Sequence, residues 1–196
     1  MPAITVPNDS VVLGAGYLYK APLASTLPTN TVAGSKFTDA WPVAWIPVGV
    51  TKDGHSWSYK LSTDQLIVAE YLAPLKYIET GVEIGVDFEI VQVTLNNYKL
   101  AANGGTITTV SGTGATTLSK WGPPAVGSSV RTMLGWESED GTERAVFYQC
   151  LQGGEVKVAH KKGADSASLP VSFNVEQPSS GDPFNIWTAG TVRVGV

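Results

Sequence analysis

The carboxylates are the first residues that invite a chemical reading. Glu137 and Glu143 flank the turn Ser138-Glu-Asp-Gly141. Two carboxyl groups facing one cleft are what glycoside hydrolysis needs. A soluble, exposed hairpin turn uses the same residue types, and nothing else in the pattern selects the enzyme over the turn. The two histidines, His55 and His160, lie far apart in sequence. Neither has an acid or nucleophile pattern beside it, and His55 reads as a solvated residue close to a turn. Cys150 is the single cysteine, which excludes an internal disulfide, and it sits in an apolar strand pattern as a small core residue does. Gly14-Ala-Gly16 lacks the third glycine and the following helix of a dinucleotide site. There is no Gly-x-x-x-x-Gly-Lys, no paired His at metal spacing and no Cys-x-x-Cys. The expectation is a protein with no catalytic residues, no metal and no cofactor. The six tryptophans would suit a carbohydrate-binding module, but most fall in strand patterns, where packing or a subunit interface serves equally well.

The most ordered charge pattern is acidic. Glu83, Asp87 and Glu89 alternate with Val82, Ile84, Val86, Phe88 and Ile90. Successive strand side chains point to opposite faces, so Val82–Val93 is expected to be a long strand with one apolar and one acidic face. Such a face is either simply solvated or a wall kept negative. At Thr94 the period changes. Thr94 can cap a short amphipathic helix near 95–102, with Leu95, Tyr98 and Ala102 packed on a sheet and Asn103-Gly104-Gly105 ending it.

The elements around this stretch are β-like. With 196 residues, 21 Gly, 12 Pro and 15% charged residues, the chain is expected to be mostly β and to form a single domain, 1–196. Ser10–Lys20 reads as a first strand. Trp45–Val50 and His55–Leu61 read as a hairpin around Thr51-Lys-Asp-Gly54, and Arg131–Glu137 with Glu143–Cys150 as another. Two short β runs surround Ser111-Gly-Thr-Gly114. Glu155–His160, Asn185–Trp187 and Thr191–Val194 are further strands. Leu169–Glu176 is expected at or near an edge because of Pro170. Two long connections remain, 21–43 and 62–80. The second carries Leu66, Ile67, Val68, Tyr71, Leu72, Leu75, Tyr77 and Ile78, interrupted by Pro74. It is too apolar for a free loop, so it is expected to fold onto the core or to be reserved for a partner.

Net charge of −4 argues against a protein that grips phosphates. No apolar run approaches the ~20 residues of a membrane span. Met1-Pro-Ala-Ile-Thr-Val has neither the basic nor the apolar region of a secretory signal, so folding in a cytoplasm is expected.

The pattern resembles the major tail tube proteins of long-tailed phages, especially those of actinobacteria. The residues that carry the likeness are Val12-Leu-Gly-Ala-Gly-Tyr-Leu-Tyr-Lys-Ala-Pro22, Leu27-Pro28, Trp45, Val48-Gly49 and Asp53-Gly54. Further along they are Tyr71–Leu75, the Val82–Val93 strand, Thr94-Leu95-Asn-Asn-Tyr98, Leu169-Pro-Val-Ser-Phe173 and Asp182-Pro-Phe184. The resemblance implies two packed antiparallel sheets with one flanking helix, and hexameric rings stacked into a tube. That tube holds the tape-measure protein, later passes DNA, and meets the tail terminator and distal tail proteins. It implies a virion tail protein assembled in the host cytoplasm, without a membrane anchor. Glu83, Asp87 and Glu89 would then line the lumen. Leu66, Ile67, Val68, Tyr71, Leu72, Leu75 and Tyr77 would touch the next ring. The alternative reading is a β-sandwich carbohydrate-binding or virion surface module.

Overall fold

The computed structural model describes residues 16–158 and 167–190. His160 and the strand expected at Thr191–Val194 lie outside them, as does most of Ser10–Lys20. The first strands are β1 (Gly16–Pro22), β2 (Val32–Ala33), β3 (Lys36–Phe37), β4 (Ile46–Pro47), β5 (Thr51–Leu66) and β6 (Lys76–Ile90). After the helix α1 (Leu95–Ala101) come β7 (Thr106–Ser111), β8 (Leu118–Gly122), β9 (Thr132–Ser138), β10 (Glu143–Gln152), β11 (Leu169–Val175) and β12 (Phe184–Thr188).

The fold is mostly β, with antiparallel pairing throughout. One eight-stranded sheet runs β4-β1-β9-β10-β11-β6-β5, with β12 also on β10. β10 changes neighbour along its length: Glu143–Phe147 pair with β12, and Cys150–Gln152 pair with β11. Its register against β9 also shifts between Phe147 and Cys150. A bulge of this kind bends a strand and lets it serve two layers. The layers meet in one core. Leu18, Leu134, Trp136, Ala145 and Phe147 pack with Ile84, Val86, Phe88, Ile90, Leu169, Val171 and Phe173. Rings cross the interface: His55 lies 4.8 Å from Trp136 and Trp57 lies 5.6 Å from Phe184. The sandwich is thus built from one continuous hydrogen-bonded sheet. The pairs β2-β3 and β7-β8 form small additional sheets.

Several expected boundaries move. No hairpin turns at Thr51-Lys-Asp-Gly54. Ile46–Pro47 pairs with β1, and Thr51–Leu66 is a continuous strand paired with β6. Asp53-Gly54 instead makes a bulge, with a register shift between Thr51 and His55 and Gly54 at φ 81°. A glycine at positive φ suits a tight turn and a bulge alike, so the dipeptide alone cannot separate them. The connection expected over 62–80 shrinks to 67–75, because β5 runs on to Leu66 and β6 begins at Lys76. Pro74 sits in that tip and interrupts no strand. β6 accordingly starts before Val82 and ends at Ile90. Residues 155–158 form no strand. The β9–β10 hairpin, the β7–β8 pair and β12 lie where the sequence places them.

Pro170 does not put β11 at an edge of the sheet, since β11 lies between β10 and β6. β10 reaches only Phe173–Val175, however, so the strand at Pro170 pairs on one side only, with Glu89 of β6. The missing N–H is tolerated there.

The helix begins as expected, with the Thr94 side chain accepting from the Asn97 N–H at 3.3 Å. Its phase differs. Asn97, Leu100 and Ala101 are the buried residues, while Leu95, Tyr98 and Ala102 are only half-buried. The reason is Asn97, a polar residue that faces inward. Its amide donates to the carbonyls of Val48 (3.1 Å) and Gln92 (2.7 Å), which ties α1 to the chain entering β5 and to the end of β6. Tyr98 still packs on the core edge and stacks on Trp121 at 5.8 Å. A seven-residue helix is not stable alone, so this packing holds it. Leu100→Ala should therefore cost about 2–5 kcal/mol, read as a shift in denaturant midpoint. Leu95→Ala should cost clearly less. Equal losses would show that Leu95 shares the buried face.

Candidate functional site

The outer part of the β5–β6 hairpin is the feature that the core of the subunit does not use. Strands of 16 and 15 residues pair along nearly their whole length. Only their inner part meets the core, through Ile84, Val86, Phe88 and Ile90. Beyond Val82 every residue of β6 back to Lys76 is exposed, and β5 is exposed nearly throughout its second half. An all-exposed paired stretch means that neither face of this ribbon is covered within the subunit. Many of its large side chains are apolar: Leu61, Leu66, Ile67, Tyr71, Leu72, Leu75, Tyr77, Ile78 and Val82 are all exposed. Val68 is half-buried within the tip, where its carbonyl accepts from Tyr71 N–H at 3.2 Å. The Leu75 N–H closes the turn onto the Leu66 carbonyl at 2.9 Å. A bare two-stranded ribbon is at best marginal in water, and an apolar surface of this extent marks an interaction site.

The acidic residues lie on the side of β6 away from the core. Glu83 and Asp87 are exposed and Glu89 is half-buried. They do not form a purely negative wall. Lys60 Nζ lies 2.8 Å from Glu83 Oε2, and the hydrogen bond and charge of Lys60 hold the Glu83 carboxyl below its ordinary value. Lys52 lies 3.8 Å from Glu89, which also accepts from the Ser168 hydroxyl. Asp87 stands between Ser56 and Ser172 on the flanking strands and has no ion pair among the described residues. The alternation was legible in the sequence; the lysines opposite were not, because they depend on the β5 register.

The first long connection folds back on its own sheet. Leu27, Trp41 and Trp45 cover a second core cluster with Ala21, Met133 and Val146. Gly135 makes this possible: a Cβ there would stand 2.5 Å from the Trp41 ring and 2.8 Å from Trp45. Beneath lies Arg144, 1% exposed. Its guanidinium sits 3.1 Å from Asp39 and 3.2 Å from Glu137, and it lies over the Phe37 ring at 4.8 Å. The Glu137 approach to Nε is off the hydrogen-bond axis, so that contact is an ion pair, with Nη2 bonded to the Glu137 carboxylate at 3.3 Å. Glu137 also accepts from the Trp41 indole N–H. It is thus consumed by a structural charge cluster and is not half of a catalytic pair. Sequence reasoning missed Arg144; the signal was Glu137 directly across the hairpin from it in register.

The other chemical candidates are also structural. His55 is not solvated. It is half-buried on β5 against Trp136, and burial lowers its pKa. Cys150 is fully buried, and burial pushes its thiol up to about 12. No cluster of three or more metal-ligating side chains occurs among the described residues, and no helix among them is long and apolar enough to cross a membrane.

A sequence model of the phage tail tube proteins matches residues 5–191. The chain belongs to that family. It is a structural tail protein of the virion, not an enzyme. Comparison with the curated proteins gives no match. Among solved structures the chain is similar to one in the cryo-EM structure of the anti-feeding prophage baseplate, 6-fold symmetrised. The TM-score is 0.42 at 7% identity, over 94% of this chain and 98% of that one. A likeness so loose carries no further conclusion.

In a tail tube protein a buried charge cluster serves the fold. Removing its cation strands two carboxylates, so Arg144→Met should destabilise by about 3–5 kcal/mol, measured by denaturant titration. Burial alone would raise the Asp39 pKa. The backbone N–H of Asn30 and the charge of Arg144 outweigh it, and the net direction is down from 3.8. A depressed carboxyl stabilises the fold above its unfolded value, and the effect is lost as pH falls through the folded one. Stability should therefore drop on acidification below about pH 4, and Asp39→Asn should flatten that limb. An unchanged acid limb in Asp39→Asn would contradict the assignment.

Proposed function

We propose that the chain acts as one domain that builds the tail tube of a long-tailed phage. Six copies form a ring, and rings stack into a conduit for the tape-measure protein and then DNA. The observation that carries this reading is the uncovered apolar β5–β6 ribbon. Leu66, Ile67, Val68, Tyr71, Leu72, Leu75 and Tyr77 become the contact with the next ring, where burial of their side chains offsets the cost of ordering the tip.

The sheet edges favour ring closure. β4 at one end is two residues long and contains Pro47, whereas β5 at the other is a 16-residue strand paired on one side. Long open edges are a hazard that closure into a barrel removes. Head-to-tail stacking of rings is then open-ended and gives a filament. Glu83, Asp87 and Glu89 face the lumen in this reading. With Lys60 and Lys52 beside two of them, the wall is mixed but carries an acidic excess. It neither grips phosphate nor presents an apolar surface, so DNA slides past it. Assembly takes place in the host cytoplasm, with the tail terminator and distal tail proteins at the tube ends.

Purified protein viewed by negative-stain electron microscopy should show rings or hollow filaments; a persistent monomer at high concentration would refute the reading. Replacing residues 65–77 by a short Gly-Ser linker should leave a β-rich circular dichroism spectrum while sedimentation shows only small species. Changing Glu83, Asp87 and Glu89 together to Lys should leave the fold intact, because Glu83 and Asp87 are exposed and solvent-exposed charge pairs contribute only about 0–1 kcal/mol each, with half-buried Glu89 the costliest of the three. The resulting tubes should retain DNA that wild-type tubes release; equal release would remove these residues from the lumen.

A further inference from the structure

A cavity of about 290 Å³ opens beside α1, between it and strands β1, β4 and β11. Its floor is apolar, with Ala21, Leu100 and Phe173. Its rim is cationic, with Lys20 and Lys99. Arg131 also borders it but is committed to Glu176, with Nη2 at 3.1 Å from Oε1. Neither lysine has an ion-pair partner among the described residues. Lys20 Nζ donates one hydrogen bond, to the Asn96 carbonyl at 3.0 Å, and an ammonium carries three donors. Lys99 lies in the last turn of α1, where the helix dipole favours a cation. Lys20 has no such local reason. Half-buried on β1, it is held by burial and by the neighbouring Lys99 charge at a pKa of about 8. Two cations converging over an apolar floor with no anion form half of a recognition site, and the missing half is a carboxylate flanked by apolar side chains.

The chain carries that half on its ribbon tip. Glu70 is exposed, has no ion pair among the described residues, and is followed by exposed Tyr71 and Leu72. The ribbon's other free carboxylates, Asp64 and Glu79, stand in the paired shaft opposite Ile78 and Thr63. There both are held within the strand ladder, behind the end of the ribbon. Glu70 alone of the three lies in the connecting tip, outside the strand ladder. No tip residue lines the cavity of its own subunit. We propose that the tip of one copy docks into this cavity of another, with Glu70 between Lys20 and Lys99 and the Tyr71-Leu72 side chains on the apolar floor. The contact is heterologous, as an open-ended stack requires. It rests on the stacking role of the ribbon and names the surface that receives it.

Charge reversal tests it. Glu70→Lys is an exposed tip change that leaves the fold intact by circular dichroism. It should raise the protein concentration needed for tubes, read by sedimentation and electron microscopy, at least about tenfold, as loss of a desolvated charge pair does. Lys20→Glu with Lys99→Glu should do the same, and the three changes combined should restore assembly. Should the Lys20→Glu subunit not fold, Lys20→Met keeps the aliphatic stem, removes the charge, and should still impair assembly. Tubes forming normally from Glu70→Lys, or no rescue in a folded combined variant, would overturn the docking. If the 65–77 replacement abolishes tubes while Glu70→Lys does not, the stacking role stands and this cavity is not its receptor. If tubes survive that replacement, the stacking role and the docking fall together.

Discussion

The architecture depends on one strand changing partners. β10 holds β12 along Glu143–Phe147 and β11 along Cys150–Gln152, with its register against β9 shifting in between. Had it kept a single neighbour, the sheet would extend as one twisted layer with an apolar face in water. Because it turns, the β6–β11 side folds over the β1–β9 side, and each closes the other's core. The largest fully buried apolar side chains, Phe147 and Phe173, come one from each arm of that turn. Arg144 secures the opposite face. It stands near the start of β10, in the part paired with β12, and draws the 23–45 connection down through Asp39 and the Trp41–Glu137 contact.

Local periodicity revealed the inner half of β6 because that segment has one face in the core and one in solvent. The same rule failed on its outer half, where both faces are exposed and alternation has nothing to report. Pro74 then suggested a broken loop, although it sits in the tip of a hairpin. The helix was recognisable from Thr94, whose cap is a local interaction. Its phase was not, because Asn97 is buried to satisfy the Val48 and Gln92 carbonyls, and a hydrophobicity reading places an asparagine outside. Asp53-Gly54 misled for a related reason: its backbone preference was right, but only the partner strand decides between turn and bulge. The charge cluster around Arg144, the lysines opposite Glu83 and Glu89, and the cavity beside α1 all depend on register or on tertiary approach. No pattern within one segment contains them.

The β5–β6 hairpin joins two environments within one element. Its inner residues belong to the folding core, and its outer residues are exposed on both faces and belong to no core of the subunit. Tilt or register error at Val86 or Phe88 would thus be carried along the paired strands to their far end. At about 3.3 Å per residue, the exposed stretch of β6 from Lys76 to Val82 is roughly 20 Å long. Precision at the tip therefore depends on packing at the root, which is where side chains are least exposed.

Cys150 has a practical consequence. It is the only thiol in the chain, it is fully buried, and its pKa is pushed up to about 12. Thiolate is the reactive form, so at neutral pH the folded subunit offers almost nothing to an alkylating reagent. A cysteine placed anywhere on the ribbon would be the sole labelling site without any need to delete the native one. The fold thus leaves the molecule ready for single-position fluorophores or cross-linkers, with its own sulfur chemically silent.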